Sequence, residues 1–349
     1  MTRRRARPGH PHGVLLIDKP GGQSSFDVLR DLKRALRVSR VGHSGTLDPM
    51  ATGLLVVCVG EGTKLATYLT ADDKRYVGEV TFGSATNTYD AEGEVVREDP
   101  PALLAALTRG EVARALSGFV GRVTQRPPAF SAIKVDGRPL YERARRGEEV
   151  EVPTREVVFY ALELLSFDEG RHRAVVSAWC SKGTYIRSLA HDLGAALGLS
   201  AHLSALRRVA SGGLRLEDAC EVSALTPETL AERLIPLERA LPRWPRAWVD
   251  AAGAAALAQG RRVTPLRVDE GAEGDEGAAR EERATLARMG DEQEEGAGDE
   301  GERGALVCAL IAREEDPAPR EGDARLLALA RRCEGGALQV VRGVVYPEG

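Results

Sequence analysis

Twelve residues constrain this chain more than any others. Residues 42–53 read Gly-His-Ser-Gly-Thr-Leu-Asp-Pro-Met-Ala-Thr-Gly and run straight into the apolar stretch Leu-Leu-Val-Val-Cys-Val at 54–59. Glycine adopts backbone angles that other residues resist. Proline fixes its own φ and pushes the residue before it, here Asp48, toward an extended conformation. A segment so dense in both is costly to hold in one shape. It is a loop of fixed shape feeding a buried strand. An aspartate before proline is ordinarily a turn former, so Asp48 alone does not establish chemistry.

The flanking sequence supplies the elements around that loop. Residues 14–18 (Val-Leu-Leu-Ile-Asp) predict a strand that stops at the turn Lys19-Pro20-Gly21-Gly22. Ser24 and Ser25 can cap a helix whose apolar face is Phe26, Leu29, Leu32 and Leu36. Alternation at Tyr76, Gly78, Val80 and Phe82 predicts a strand, and residues 173–180 predict another. Residues 102–116 read as one helix. Residues 185–197 read as a helix stopped by Gly198. Pro127 and Pro128 force residues 126–134 to be extended or turning. This is an α+β order, without the regular alternation of a doubly wound sheet.

A length of 349 residues predicts two domains. The composition shifts at Pro-Arg-Trp-Pro-Arg, 242–246, where the boundary is placed. Residues 12–240 form the first domain behind a basic tail, 1–11. Residues 247–349 form the second, read as short strands and turns around an insertion at 269–303. Residues 269–302 hold 14 acids against three arginines, a balance of −11 that leaves the rest of the chain at +7. Few apolar residues interrupt those acids, so the insertion is expected to be disordered. A mildly basic body permits a polyanionic partner without proving one.

No apolar run reaches the ~18 residues a membrane helix needs, and the basic N-terminus lacks a signal-peptide core. Cys58, Cys180, Cys220, Cys308 and Cys333 are odd in number, far apart and outside any zinc spacing. Buried thiols in a reducing cytoplasm are expected, with no structural metal. P-loop, dinucleotide-binding and nucleophile-elbow patterns are missing, which counts against nucleotide-dependent and hydrolase chemistry.

Five ordered motifs carry a resemblance. They are Leu-Ile-Asp-Lys-Pro at 16–20, the 42–53 loop, Lys-Arg-Tyr at 74–76, Cys-Ser-Lys-Gly-Thr-Tyr-Ile-Arg at 180–187, and Leu-Arg-Arg at 206–208. Together, over about residues 12–240, the chain resembles the TruB family of bacterial tRNA pseudouridine synthases, which act on the T-arm uridine at tRNA position 55. The resemblance implies a catalytic domain on a mixed, mostly antiparallel sheet, with an RNA cleft across it and Asp48 at its floor. It also implies a small β-rich, PUA-like RNA-binding domain at the C-terminus, which would grip the acceptor-arm side of the tRNA.

The same resemblance assigns roles. Asp48 matches the catalytic aspartate and Arg187 the arginine paired with it. A neighbouring guanidinium is expected to lower the carboxyl pKa by ~1–3 units. Tyr76 matches the residue that stacks on the target uracil, and Tyr185 and Leu206 match other pocket residues. The target base must be flipped out of its loop, and His43 matches the residue that fills the vacated space. Lys19, Lys64 and Lys134 are candidate structural or phosphate contacts. Isomerisation needs no cofactor. The expected partner is the T-arm of tRNA, with no membrane, no obligatory protein partner and a monomer sufficing. Two rival readings stand beside this one: a guide-RNA-dependent synthase, and a tRNA-folding chaperone that acts without chemistry.

Overall fold

The computed structural model describes residues 11–131, 134–135, 138–140, 143, 146, 152–269, 306–312, 324–333 and 336–344. The acidic insertion and the basic tail therefore lie outside the described residues, apart from Asp269 and Pro11. In chain order the first strands are β1 (Gly13–Lys19), β2 (Val41–His43), β3 (Thr52–Val59) and β4 (Lys74–Phe82). A small hairpin, β5 (Ser84–Thr86) and β6 (Val95–Glu98), follows. Then come β7 (Gly121–Gln125), the short pair β8 (Lys134–Val135) and β9 (Arg138–Pro139), β10 (Arg155–Asp168), β11 (Arg173–Cys180), β12 (Ala201–Ser211) and β13 (Leu214–Arg215).

Nine of these strands form one sheet, ordered β1-β3-β12-β4-β11-β10-β7, with β2 on β3 and β13 on β12. Only β3 and β12 pair in parallel, at Arg207↔Thr52 and Arg208↔Gly53. The sheet is mixed and mostly antiparallel, as expected. Its β1–β3 end is covered on both faces. Leu15, Ile17, Leu55 and Val57 face one core, while Val14, Leu16, Leu54 and Val56 face another. Burial on both faces explains why these strands read as continuous apolar runs rather than alternating ones.

The first core holds α1 (Ser25–Leu36), whose N-cap Ser24 forms a capping box with Asp27. Val28, Leu29, Leu32 and Leu36 are buried, whereas Phe26 is 67% exposed. Phe26 was expected on the apolar face, but at ~100° per residue it lies well around the helix from the stripe that Val28 completes. After the short α2 (Ala66–Ala71), the single helix expected at 102–116 is two: α3 (Pro101–Leu104) and α4 (Arg109–Ser117). The break is local chemistry. Thr108 and Glu111 form a second capping box that starts a new helix. Helix α5 (Ile186–Ala196) ends before Gly198, whose φ is +70°.

Short α6 (Leu230–Arg233) leads to a second, five-stranded sheet. Its strands are β14 (Arg246–Val249), β15 (Arg267–Asp269), β16 (Leu306–Ala312), β17 (Ala324–Arg332) and β18 (Leu338–Gly343), ordered β15-β14-β16-β17-β18. This small β-rich unit agrees with a PUA-like region. It also contains α7 (Ala251–Ala258), where only strands and turns were expected. Alanine-rich sequence has high helix propensity, and Asp250 caps it by accepting from Gly253 N at 2.7 Å. Trp248, Leu326 and Leu329 complete the second core against β1 and β3.

Candidate active site

The loop between β2 and β3 is tied from several sides. Ser25 Oγ donates to the Leu47 carbonyl at 3.1 Å and accepts from Leu47 N at 2.9 Å. Leu47 and Ala51 are buried on either side of Asp48. Lys19 is fully buried, and its Nζ donates to the carbonyls of Pro20 (2.8 Å), Gln23 (2.6 Å) and Pro49 (3.1 Å). Arg208, from β12, donates to the carbonyls of Gly45 (3.2 Å) and Thr46 (2.9 Å). Gly53 has φ +95°, and a Cβ there would collide with the Arg208 backbone. The glycines and the proline of this loop thus let β3 and β12 meet while Asp48 stands at their junction.

Arg187, in the first turn of α5, reaches Asp48 with a fork. Its Nη2 donates to Oδ1 at 3.0 Å, and its Nε lies 3.0 Å from Oδ2. The arginine side chain is 5% exposed and the aspartate 33%. The pair therefore has one open side, and that side belongs to the carboxylate. The other end of the guanidinium is held as well. Nη1 donates to the Thr88 carbonyl at 3.1 Å and sits 3.2 Å from Asp90 Oδ2, while Nη2 also donates to the Phe130 carbonyl at 3.2 Å. Asp90 is buried and accepts from Thr88 Oγ1 (2.6 Å) and Glu92 N (3.1 Å).

This arrangement reverses the expected pKa shift of Asp48. Burial is the largest influence and pushes the carboxyl above its ordinary value. The Asp90 charge adds to it, and Arg187 and Arg208 pull the other way without prevailing. A carboxylate that is costly to ionise is a more basic one.

Tyr76, on β4, is buried, and its hydroxyl accepts from Arg208 Nε at 3.3 Å. Burial raises its pKa. Leu206 is buried nearby on β12. Tyr185 caps α5. Gln125 grips its backbone on both sides, accepting from Tyr185 N and donating to Tyr185 O, each at 2.9 Å. Its phenol is raised by burial, with Arg155, Arg187 and Asp48 all acting on it. His43, on β2, is half-buried. Burial and then Arg208 lower its pKa, so it is neutral near pH 7.

The structure thus brings Arg187, Tyr76 and Tyr185 each within electrostatic reach of Asp48, with His43 within reach of Arg208. The lysines differ. Lys19 holds the loop from beneath and offers its ammonium to carbonyls, not to solvent. Lys64 pairs with buried Glu61 at 2.5 Å and donates to the Gly343 carbonyl at 3.0 Å, linking the turn after β3 to the end of β18. Lys134 lies on β8, and its side chain is outside the described residues.

Two residues of the site escaped the sequence. Asp90 sits in Thr-Asn-Thr-Tyr-Asp-Ala-Glu-Gly, 86–93, which reads as an ordinary turn. Arg208 is only 2% exposed, yet its neighbour Arg207 reads identically. The sole available signal was its place in the Leu-Arg-Arg motif.

The fold that carries this site is shared with solved structures. A chain of an H/ACA RNP bound to a substrate RNA containing 2′-deoxyuridine has a TM-score of 0.65 at 21% identity, covering 96% of this chain and 86% of that one. A chain of a Cbf5-Nop10-Gar1 complex has a TM-score of 0.66 at 23% identity, covering 96% and 85%. These likenesses establish the fold. Residues 33–186 match the N-terminal domain of the TruB family pseudouridylate synthases, and 187–242 match the tRNA pseudouridylate synthase B C-terminal domain. The chain belongs to the TruB family of pseudouridylate synthases. Among its relatives, tRNA pseudouridine synthase B of Cupriavidus metallidurans is 45% identical over 291 residues, covering 80% of this chain and 88% of that protein. That of Symbiobacterium thermophilum is 48% identical over 249 residues, covering 71% and 82%.

Proposed function

We propose that this chain converts the T-arm uridine at tRNA position 55 into pseudouridine, with Asp48 as its catalytic carboxylate. The observation that carries the reading is the open side of the Asp48–Arg187 fork. Arg187 lies 3.0 Å from each carboxylate oxygen yet leaves the aspartate one-third exposed, where a flipped nucleoside can meet it. tRNA as substrate is supported by the names of relatives that share 45–48% identity with this chain. The T-arm site follows from the motif resemblance.

In the reaction N1–C1′ breaks, the uracil turns, and C5–C1′ forms. The proton leaves C5 for solvent and N1 gains one. Asp48 can act by attacking C1′, by attacking uracil C6, or by taking a proton from C2′. Its raised pKa suits each of these roles, because each asks the carboxylate to share an electron pair. Arg187 orients the carboxylate and opposes the penalty that burial sets on its ionised form. Tyr76 and Leu206 would form the walls against which the flipped base packs; base–aromatic stacking contributes ~1–3 kcal/mol.

A binding-only chaperone gives no reason for a buried arginine to fork an open carboxylate. A guide-dependent enzyme would require partner chains and a guide RNA, whereas the relative that is 45% identical over 80% of this chain is named tRNA pseudouridine synthase B. The test is tritium release from C5-labelled uridine in a T-arm RNA, for wild type and Asp48→Asn. Release by the purified wild type, lost in the variant while tRNA affinity stays, is expected. Comparable release by a clean Asp48→Asn preparation would remove Asp48 from the chemistry. No release by wild type with binding intact would favour the rivals.

A further inference from the structure

Tyr89 is the residue between the two groups that hold the far end of Arg187. Thr88 presents its carbonyl and Asp90 its carboxylate to the same guanidinium nitrogen, Nη1. Consecutive peptides of an extended chain would aim these groups apart. They converge because Tyr89 has φ +63°, the left-handed region that a residue with a Cβ rarely adopts. Such a conformation persists only where the surroundings over-determine it.

Its surroundings do so on both sides. The Tyr89 carbonyl accepts from Leu203 N at 3.0 Å, and Ala91 N donates to the Leu203 carbonyl at 3.0 Å, which pins the turn to β12. The ring of Tyr89 lies flat on His191, with centroids 4.1 Å apart and planes 10° apart. His191 is on α5, four residues after Arg187 and therefore on the same face of that helix. The stack thus fastens the turn to the helix that carries the arginine. Neither ring is joined to Asp48 by a hydrogen bond or ion pair, so nothing in the Asp48–Arg187 fork itself requires the two rings.

We propose that the Tyr89–His191 stack is a positioning device for the chemical step: it holds the Thr88–Asp90 claw on Arg187, and through Arg187 sets the orientation of Asp48. The inference rests on the catalytic reading of Asp48 above.

The test compares single-turnover rate, KM and tRNA affinity for Tyr89→Ala, Tyr89→Gly, Tyr89→Phe and His191→Ala, with Asp48→Asn as reference. Thermal melts accompany each. Loss of alignment at a carboxylate costs on the order of 10–100-fold in rate. Tyr89→Ala and His191→Ala should each lose about that in kcat, with KM and affinity within about twofold of wild type. The double variant should lose little more than either single one, because both remove the same contact. Tyr89→Phe keeps the stack and should keep the rate. Tyr89→Gly relaxes the φ strain but removes the ring. It should therefore melt at least as high as Tyr89→Ala yet stay slow.

Wild-type kcat in Tyr89→Ala or His191→Ala would overturn the proposal. So would recovery of the rate by Tyr89→Gly, or a loss falling equally on tRNA affinity. If Asp48→Asn itself turns over like wild type, the catalytic reading fails instead, and that result is visible independently of the Tyr89 series.

Discussion

Arg208→Met is the perturbation with the most legible consequences. Arg208 donates to the carbonyls of Gly45, Thr46 and Leu54 and to the Tyr76 hydroxyl, at 2.9–3.3 Å, from a position 2% exposed. Methionine fills much of the same space but donates nothing. A buried acceptor left without a donor costs about 1–3 kcal/mol; the Leu54 carbonyl is buried, whereas those of Gly45 and Thr46 are part-buried and lie at the low end, so the three cost about 3–5 kcal/mol before relaxation. The variant no longer has to bury a cation, and that gain offsets part of the loss. A net loss of about 3 kcal/mol is expected, or about 6–12 °C in Tm for a domain of this size.

Catalysis should respond separately. Gly45 and Thr46 belong to the loop that presents Asp48, so kcat should fall. Arg208 is also one of the cations holding the Asp48 pKa down. Its removal should move the acid limb of the pH–rate profile upward. Arg208→Lys keeps the charge with fewer donors. It should leave the acid limb near its wild-type place while retaining part of the Tm loss. Differential scanning calorimetry and single-turnover rates from pH 5 to 9 check both arms. A Tm within about 2 °C of wild type together with an unmoved acid limb would refute this account of Arg208.

Other outcomes follow from the same site. Wild-type activity should begin to fall, as pH drops, above the ordinary carboxylate range, because burial raises the Asp48 pKa. Asp90→Asn removes a charge that raises it, so the limb should shift downward, and an unshifted limb would exclude Asp90 as a cause. Burial, then Arg208, lowers Lys74 to about 8. The unfolded chain therefore binds its proton more tightly between about pH 8 and 10.5. Wild type should gain stability relative to Lys74→Met as pH rises through that window, read as a difference between two urea-unfolding series. Burial pushes the thiols of Cys58, Cys180 and Cys308 up to about 12. They should resist a thiol-specific reagent at pH 8 in the folded protein and react on unfolding; rapid native labelling of all three would contradict their burial.

Much of the frame was legible because its causes are local. The capping residues Ser24 and Gly198, the apolar strands at 14–18 and 54–59, and the glycine–proline loop act over a few residues. Where local reading failed, a second local cause competed. Thr108 capped a new helix inside an apparently continuous one, and alanines after Asp250 made a helix where turns were expected. Phe26 shows a different limit: helical spacing places it near the stripe, but only the angular position of the packed sheet shows that it faces solvent.

For the site, the ordered motifs were enough to select Asp48, Arg187, Tyr76, Tyr185, Leu206 and His43; their roles are proposals, and Asp48→Asn addresses the catalytic one. What the sequence by itself determined was the stiff loop with one carboxylate, the helix that carries the arginine, and the sheet that receives them. The tertiary structure alone decided the electrostatics. Asp90 lies 97 residues from Arg187 in the chain, and Arg208 lies 160 residues from Asp48, yet both act on the same carboxylate. The sign of its pKa shift depends on how deeply the fold buries it and which charges surround it. Those are sums over distant residues, and no stretch of neighbouring sequence carries them.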